Sequence, residues 1–301
     1  MRKILLLGMI LTLLVACNEE EYIEKGSKEY IQEINQWHAQ RVERLKQPTG
    51  WLNLTGLFWL KEGENTFGSE SSNDLVFPAN MPGNIGSFIL SDSVVTLKVN
   101  DDIDVLVDSQ SIKEFVLIPD TKPNTTRMHL GSNEWNLIVR SGNMYGIRLR
   151  DLDAEILKTF EGVDRFPVNE DWNIKAKFEP FDSLREIKIP TVLGTIETDY
   201  SPGKLVFTTI DDKDYELYPT KSGNGLFILF ADQTSGVETY GAGRFLYTDS
   251  PDSSNIVNID FNKAYNPPCA FSQYATCPLP PKENQLKVRI TAGEKNYGEG
   301  H

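Results

Sequence analysis

Two short stretches hold the side chains best suited to chemistry. In residues 230–244 (FADQTSGVETYGAGR), Asp232 and Thr234 follow an apolar run, and Tyr240 and Arg244 lie four apart. A carboxylate and a hydroxyl at a strand end can face a ligand, and an arginine can grip an anionic group through two parallel N–H bonds. The same residues also have a structural use. Asp232 and Thr234 can cap a tight turn through side-chain to backbone bonds, and Arg244 can pair with a buried carboxylate such as Asp260. In residues 260–281 (DFNKAYNPPCAFSQYATCPLPP), Asp260, Asn262, Tyr265 and Asn266 place four hydrogen-bonding side chains within seven residues. That density suits a small polar ligand such as a sugar or a peptide. It equally suits a loop that must satisfy its own backbone.

Other candidates stand apart from these stretches. Glu294 after Gly293 has the chemistry of a general acid or base. Arg148 and Asp151 close a strand, where they face a ligand, pair with each other or pair across the sheet. The tryptophans at 37, 51, 59, 135 and 172 can stack on sugar rings, although large aromatics mostly fill cores. Nucleophile machinery is missing: there is no Gly-x-Ser-x-Gly elbow, and His129 has no signature serine beside it. Neither a glycine-rich phosphate loop nor a dinucleotide fingerprint is present, so no cofactor is called for. With 43 acidic side chains, a glycosidase-like carboxylate pair is always possible and never diagnostic.

The chain's beginning points to a compartment. Arg2 and Lys3 precede an apolar run over residues 4–15, too short to span a membrane and right for a signal-peptide core. It ends in Leu14-Val15-Ala16-Cys17, which resembles a bacterial lipobox. The resemblance implies cleavage before Cys17, acylation of that cysteine and a lipid-anchored protein of the cell envelope, periplasmic or surface-exposed. The membrane is then a partner through the N-terminal lipid. Residues 17–26, with Glu19-Glu20-Glu21, read as an acidic tether or as a tag for export to the cell surface. Cleavage removes two of the 30 basic side chains and no acidic one, which sharpens a net charge already at −13. Such acidity argues against a nucleic-acid partner. In an oxidising compartment the remaining pair, Cys269 and Cys277, is expected to form a disulfide. With three histidines in the chain, a zinc site is not expected.

These residues need elements to hold them. Residues 27–47 have apolar positions at helical spacing, among them Tyr30, Ile34, Trp37 and Leu45, and Pro48-Thr49-Gly50 stops the helix. From Trp51 onward the period is two. Strands are expected at 94–99, 104–107, 114–118, 135–140 and 144–150, with Ser141-Gly142-Asn143 turning the last pair into a hairpin. A second set follows at 186–189, 194–199, 204–210, 215–218 and 226–231. The chain therefore reads as mainly β, sandwich- or barrel-like, with one N-terminal amphipathic helix. Its expected domains are 27–184, the helix plus a first β domain, and 185–301, a second β domain with the proline and cysteine loop.

Two family resemblances add to this. Residues 61–68 (KEGENTFG) and 72–77 (SNDLVF) look like the opening strands and turn of the forkhead-associated sandwich. That family binds phosphothreonine through an arginine after the glycine and a later serine-histidine pair. Here Ser69 follows Gly68 and Phe88 follows Ser87, so the likeness implies a β-sandwich and no phosphopeptide site. Residues 50–52 (GWL), 56–60 (GLFWL), Ile147-Arg148 with Asp151, 230–244, 260–281 and 292–295 (AGEK) together resemble the DUF1684 family over nearly the whole mature chain. That family implies no agreed reaction. The reading favoured here is a small polar ligand bound where 230–244 meets 260–281, with Arg148, Arg244, Asp260 and Tyr265 as holders. The alternatives are a glycan or peptide hydrolase using Asp232, Asp260 or Glu294, and a structural envelope lipoprotein.

Overall fold

The computed structural model describes residues 22–209 and 212–298. The expected signal peptide, the expected lipidation site Cys17 and the first part of the expected tether lie outside the described residues. Helix α1 (Lys28–Leu45) forms as expected, with the Ser27 hydroxyl accepting from the Tyr30 N–H at 3.1 Å. An N-cap of this kind satisfies one of the four free donors that open any helix. Among the described residues, no helix is long and apolar enough to cross a membrane.

The first β unit contains strands β1 (Leu54–Trp59), β2 (Gly63–Gly68), β3 (Leu75–Val76), β4 (Gly86–Ser91), β5 (Val94–Val99), β6 (Val105–Val107), β7 (Gln110–Ile112), β8 (Glu114–Val116), β9 (Arg127–Leu130), β10 (Asn133–Arg140) and β11 (Met144–Asp151). They form a five-stranded sheet, β3-β2-β4-β5-β8, and a six-stranded sheet, β1-β11-β10-β9-β6-β7. Phe67, Phe88 and Leu97 from the first sheet share one core with Trp135, Ile147 and Leu149 from the second. Two sheets facing each other across side chains that alternate in and out make a sandwich. The hairpin expected at 141–143 is present and joins Arg140 to Met144.

The second β unit contains β12 (Asn173–Pro190), β13 (Ile196–Thr208), β14 (Asp214–Leu217), β15 (Thr220–Ser222), β16 (Gly225–Phe230), β17 (Arg244–Asp249) and β18 (Ile256–Asp260). Its sheets run β14-β13-β12-β18 and β15-β16-β17, over a core that includes Trp172, Phe207, Ile228, Phe230, Ile259 and Phe261. The protein is therefore mainly β, as its period-two pattern indicates.

The expected seam at 184 falls inside β12, which runs through it. Residues 181–184 form a bulge between the pairs Pro180↔Gly203 and Arg185↔Ser201. Pro180 has no N–H to give the ladder, so pairing breaks there and resumes beyond it. Pro202 lies opposite the bulge on β13, and the strands expected at 194–199 and 204–210 join as that one strand.

Helix α1 precedes the first β unit in sequence yet packs on the second. The Tyr30 hydroxyl donates to Asp260 at 2.8 Å, His38 Nε2 to the Asn262 carbonyl at 2.9 Å, and Arg41 Nη2 to the Asn266 carbonyl at 3.0 Å. The end of the expected tether is docked there too, with the Lys25 N–H donating to the Val168 carbonyl at 2.8 Å.

Residues 260–281 carry two short 3₁₀ turns, Phe261–Lys263 and Pro268–Ala270. Cys269 and Cys277 stand at disulfide distance, with Cα atoms 6.1 Å apart. Beside Cys277, the Thr276 hydroxyl accepts from Arg140 Nε at 2.8 Å and Arg148 Nη2 at 3.2 Å. The loop thus reaches the outer face of the six-stranded sheet, linking the two β units.

Candidate functional site

The residues expected to grip a ligand divide into separate clusters, and the first is internal. Arg244 is 0 % exposed. Its Nη2 donates to Asp232 Oδ2 at 2.7 Å and to the Ile290 carbonyl at 3.0 Å, and its Nη1 to the Ala292 carbonyl. Asp232 Oδ1 in turn accepts from the Thr234 N–H at 2.7 Å and hydroxyl at 2.6 Å. So Asp232 and Thr234 do cap a turn, and Arg244 pairs with Asp232 rather than Asp260. Side chains bound this way have little left to offer a ligand. Tyr240 is half-buried on the turn that follows, and burial raises its phenol above the ordinary range.

Asp260 and Asn262 form the second cluster. Asp260 Oδ1 accepts from the Tyr30 hydroxyl at 2.8 Å and from the Asn262 N–H at 3.1 Å. Asn262 Oδ1 accepts from the Asn169 N–H at 2.9 Å, while its Nδ2 donates to the Asn169 carbonyl and the Tyr30 hydroxyl. These two residues seat the helix and the loop. The ligand role expected of them is taken by the protein itself. The Tyr30 phenol is raised far above its ordinary range, by burial first and then by the Asp260 carboxylate.

Glu294 is 1 % exposed, yet it lines a cleft of about 590 Å³ between α1, residues 161–165 and residues 294–298. Gly293 places it: φ there is +78°, and a side chain would meet the Phe261 and Ala264 carbonyls. Glu294 Oε1 accepts from Arg41 Nε at 3.3 Å and Oε2 from the Asn266 N–H at 2.7 Å. Burial raises its carboxyl above the usual range even though Arg41 and the Asn266 N–H pull it down. His38 lines the same cleft. Burial, then Arg165, lowers its imidazole to about 4, so the ring is neutral at pH 7, with Nε2 donating and Nδ1 carrying the lone pair.

Tyr265, by contrast, walls an open cavity. It lines a slot of about 300 Å³ with Trp37, Arg41, Arg44, Tyr247 and Lys263. Trp37, Arg41 and Arg44 stand at i, i+4 and i+7 on one face of α1. The opposite wall is fixed by two backbone bonds between Tyr265 and Phe245, at 2.8 and 3.0 Å. The Arg41 guanidinium lies 4.5 Å from the Tyr265 ring centre, and that of Arg44 5.9 Å from the Trp37 ring. Tyr247 and Tyr265 are stacked at 6.3 Å with an interplanar angle of 19°. Burial, with Tyr247 next, raises the Tyr265 phenol above its ordinary range. Lys263 is shared with Glu33 at 2.8 Å and Asp260 at 3.6 Å. Arg44 is exposed and has no carboxylate partner among the described residues.

Arg148 and Asp151 do not pair with each other. Asp151 accepts from the Asp153 N–H at 3.0 Å, while Arg148 is buried beneath Trp51 and Thr276. Among the described residues, no group of three His, Cys, Asp or Glu side chains is placed to hold a metal ion.

Residues 158–295 match the model of a family described as "Protein of unknown function (DUF1684)". The match takes in the second β unit and the segment leading into it. It leaves out the motifs at 50–60 and 147–151, so it is narrower than the near-complete likeness expected. No curated protein matches. Among solved structures, an uncharacterized protein of Haloarcula marismortui determined in solution by NMR is similar. It is 26 % identical over 47 % of this chain and 80 % of that one, with a TM-score of 0.39.

Proposed function

We propose that the chain is a lipid-anchored binding protein of the cell envelope, and that the slot between α1 and Tyr265 holds a small anion with a flat or ring-shaped face. A hexuronate or an aromatic carboxylate has that chemistry. The observation that carries the reading is Arg44, an unpaired cation beside three aromatic rings in a chain of net charge −13. Elsewhere the surface of so acidic a protein repels anions, so a cationic aromatic recess selects for them. Aromatic faces stack on sugar or aromatic rings, and an arginine supplies charge-assisted bonds to a carboxylate. A recess of about 300 Å³ has room for one ring.

The anchor rests on Leu14-Val15-Ala16-Cys17. Replacing Cys17 by serine should move the protein from the detergent phase to the aqueous phase, and an unchanged partition would reject lipidation. The ligand is tested by a thermal-shift screen of monosaccharides, hexuronates and aromatic acids. Anionic ring compounds should raise Tm in the parent and not in Arg44→Ala or Trp37→Ala. Equal responses in all three proteins would remove the slot from consideration.

A second reading, acid–base hydrolysis of a glycan or peptide, is favoured by one observation. Glu294 is a buried carboxylate with a raised pKa on the floor of a cleft of about 590 Å³. That combination marks many catalytic acids. Asp232 and Asp260, the other carboxylates expected in this role, are held by Arg244 and Tyr30. Cleavage of a glycan or peptide panel that Glu294→Gln abolishes would establish this reading, and no cleavage by the parent would end it.

A further inference from the structure

Arg148 sits on β11 with its side chain on the outer face of the six-stranded sheet, roofed by Trp51 and the proline and cysteine loop. It is 4 % exposed and has no carboxylate partner among the described residues. Its Nη2 donates to the Thr276 hydroxyl at 3.2 Å, and its Nε has no hydrogen-bond partner among the described residues. Arg140 Nε reaches the same hydroxyl oxygen at 2.8 Å. Among the described residues, Asp120 is the one carboxylate bonded there, and it is taken by Arg140 Nη1 at 2.9 Å and the Val139 N–H at 3.1 Å. Two guanidiniums therefore share one negative charge, and the more buried of the two is the one left without it. Burial, with Arg140 as the next cause, lowers Arg148 to about 10.

An uncompensated buried charge is strongly unfavourable, and an anion bound beside it would offset that cost. The local hydrogen bonds already point toward an anion. Thr276 accepts from both arginines, so its own O–H remains to donate. We infer that Arg140, Arg148 and Thr276 form a second binding site, distinct from the aromatic slot, for a small oxyanion such as a phosphate or carboxylate group. Arg140, Thr276 and Trp51 are each half-buried, so the side chains that surround the Arg148 guanidinium themselves reach solvent. Because Thr276 belongs to the loop and the arginines to the first β unit, a bound oxyanion would also tie the two units together.

The test compares Tm in sodium phosphate, sodium acetate and sodium chloride at equal ionic strength and pH, followed by calorimetric titration of whichever oxyanion acts. Phosphate or acetate should raise Tm where chloride does not, and the more effective of the two names the group. Arg148→Gln should remove the shift, and Arg140→Gln should weaken binding about tenfold or more, as expected for a charge-assisted bond. Thr276→Val, a near-isosteric change on a half-buried residue, should weaken it as well and guards against misfolding of the arginine variants. Arg44→Ala should keep the shift in full. No oxyanion effect in the parent, an undiminished effect in Arg148→Gln, or a loss confined to Arg44→Ala would each overturn the assignment.

Discussion

The Arg41 guanidinium lies 4.5 Å from the centre of the Tyr265 ring, across 224 residues of sequence, while its Nε is bonded to the Glu294 carboxylate. One side chain thus belongs to both recesses of the second β unit: its flat face forms part of the aromatic slot, and its edge reaches Glu294 at the floor of the neighbouring cleft. Arg41 also holds the Asn266 carbonyl at 3.0 Å, so the helix and the loop are fixed to each other through it. The slot is therefore a preformed recess between secured elements, the condition under which binding costs least in ordering.

The Arg244–Asp232 pair makes a prediction about stability. Both side chains are fully buried, so removing one partner strands the other's charge. Arg244→Ala should lower the unfolding free energy by about 3–5 kcal/mol. Urea denaturation measures this, and a loss under about 1 kcal/mol would contradict the buried role. Where the variant remains folded, its ligand affinity should match the parent's.

His38 predicts a pH dependence. Its folded pKa of about 4 lies below the ordinary 6.5, so the unfolded chain takes up a proton more readily. The stability this gives is complete above about pH 6.5 and is lost as pH falls toward 4. At 1.36 kcal/mol per pKa unit the loss is roughly 3 kcal/mol. Glu294 is shifted the other way, so its effect falls as pH rises through its raised pKa and opposes that of His38. The difference between parent and His38→Gln isolates the histidine. That difference should slope between pH 6.5 and 4, and a flat one would mean that His38 titrates normally.

Cys269 and Cys277 predict a bridge in exported protein. Alkylation and mass spectrometry should find neither thiol free, and two free thiols would reject it. Closing so short a loop should stabilise by about 2.5 kcal/mol in the chain-entropy model. Reduction should lower Tm accordingly and loosen Thr276 from Arg140 and Arg148.

Much of the local structure was legible in the sequence. Helix α1, the hairpin at 141–143, the turn at Asp232 and Thr234 and the cysteine pair depend on near neighbours, whose spacing states their geometry. What was not legible depends on distance. Nothing local says that α1 packs on the second β unit, because its partners Asp260, Asn262 and Asn266 are more than 200 residues away. The slot was missed for the same reason: Trp37, Arg41 and Arg44 meet Tyr247, Lys263 and Tyr265 only after folding. A signal did exist in the helix, where two arginines share the face that carries Trp37 at i, i+4 and i+7. Arginines among the apolar positions of a core-facing stripe mark a place where the stripe meets something polar.

The most direct test of the slot is isothermal titration calorimetry with glucuronate and glucose, which share a ring and differ by a carboxylate. The parent should bind glucuronate and bind glucose at least about tenfold more weakly, and Arg44→Ala should erase the difference by losing the charge-assisted contact. Equal affinities for the two sugars, or a preference that survives in folded Arg44→Ala, would contradict the account.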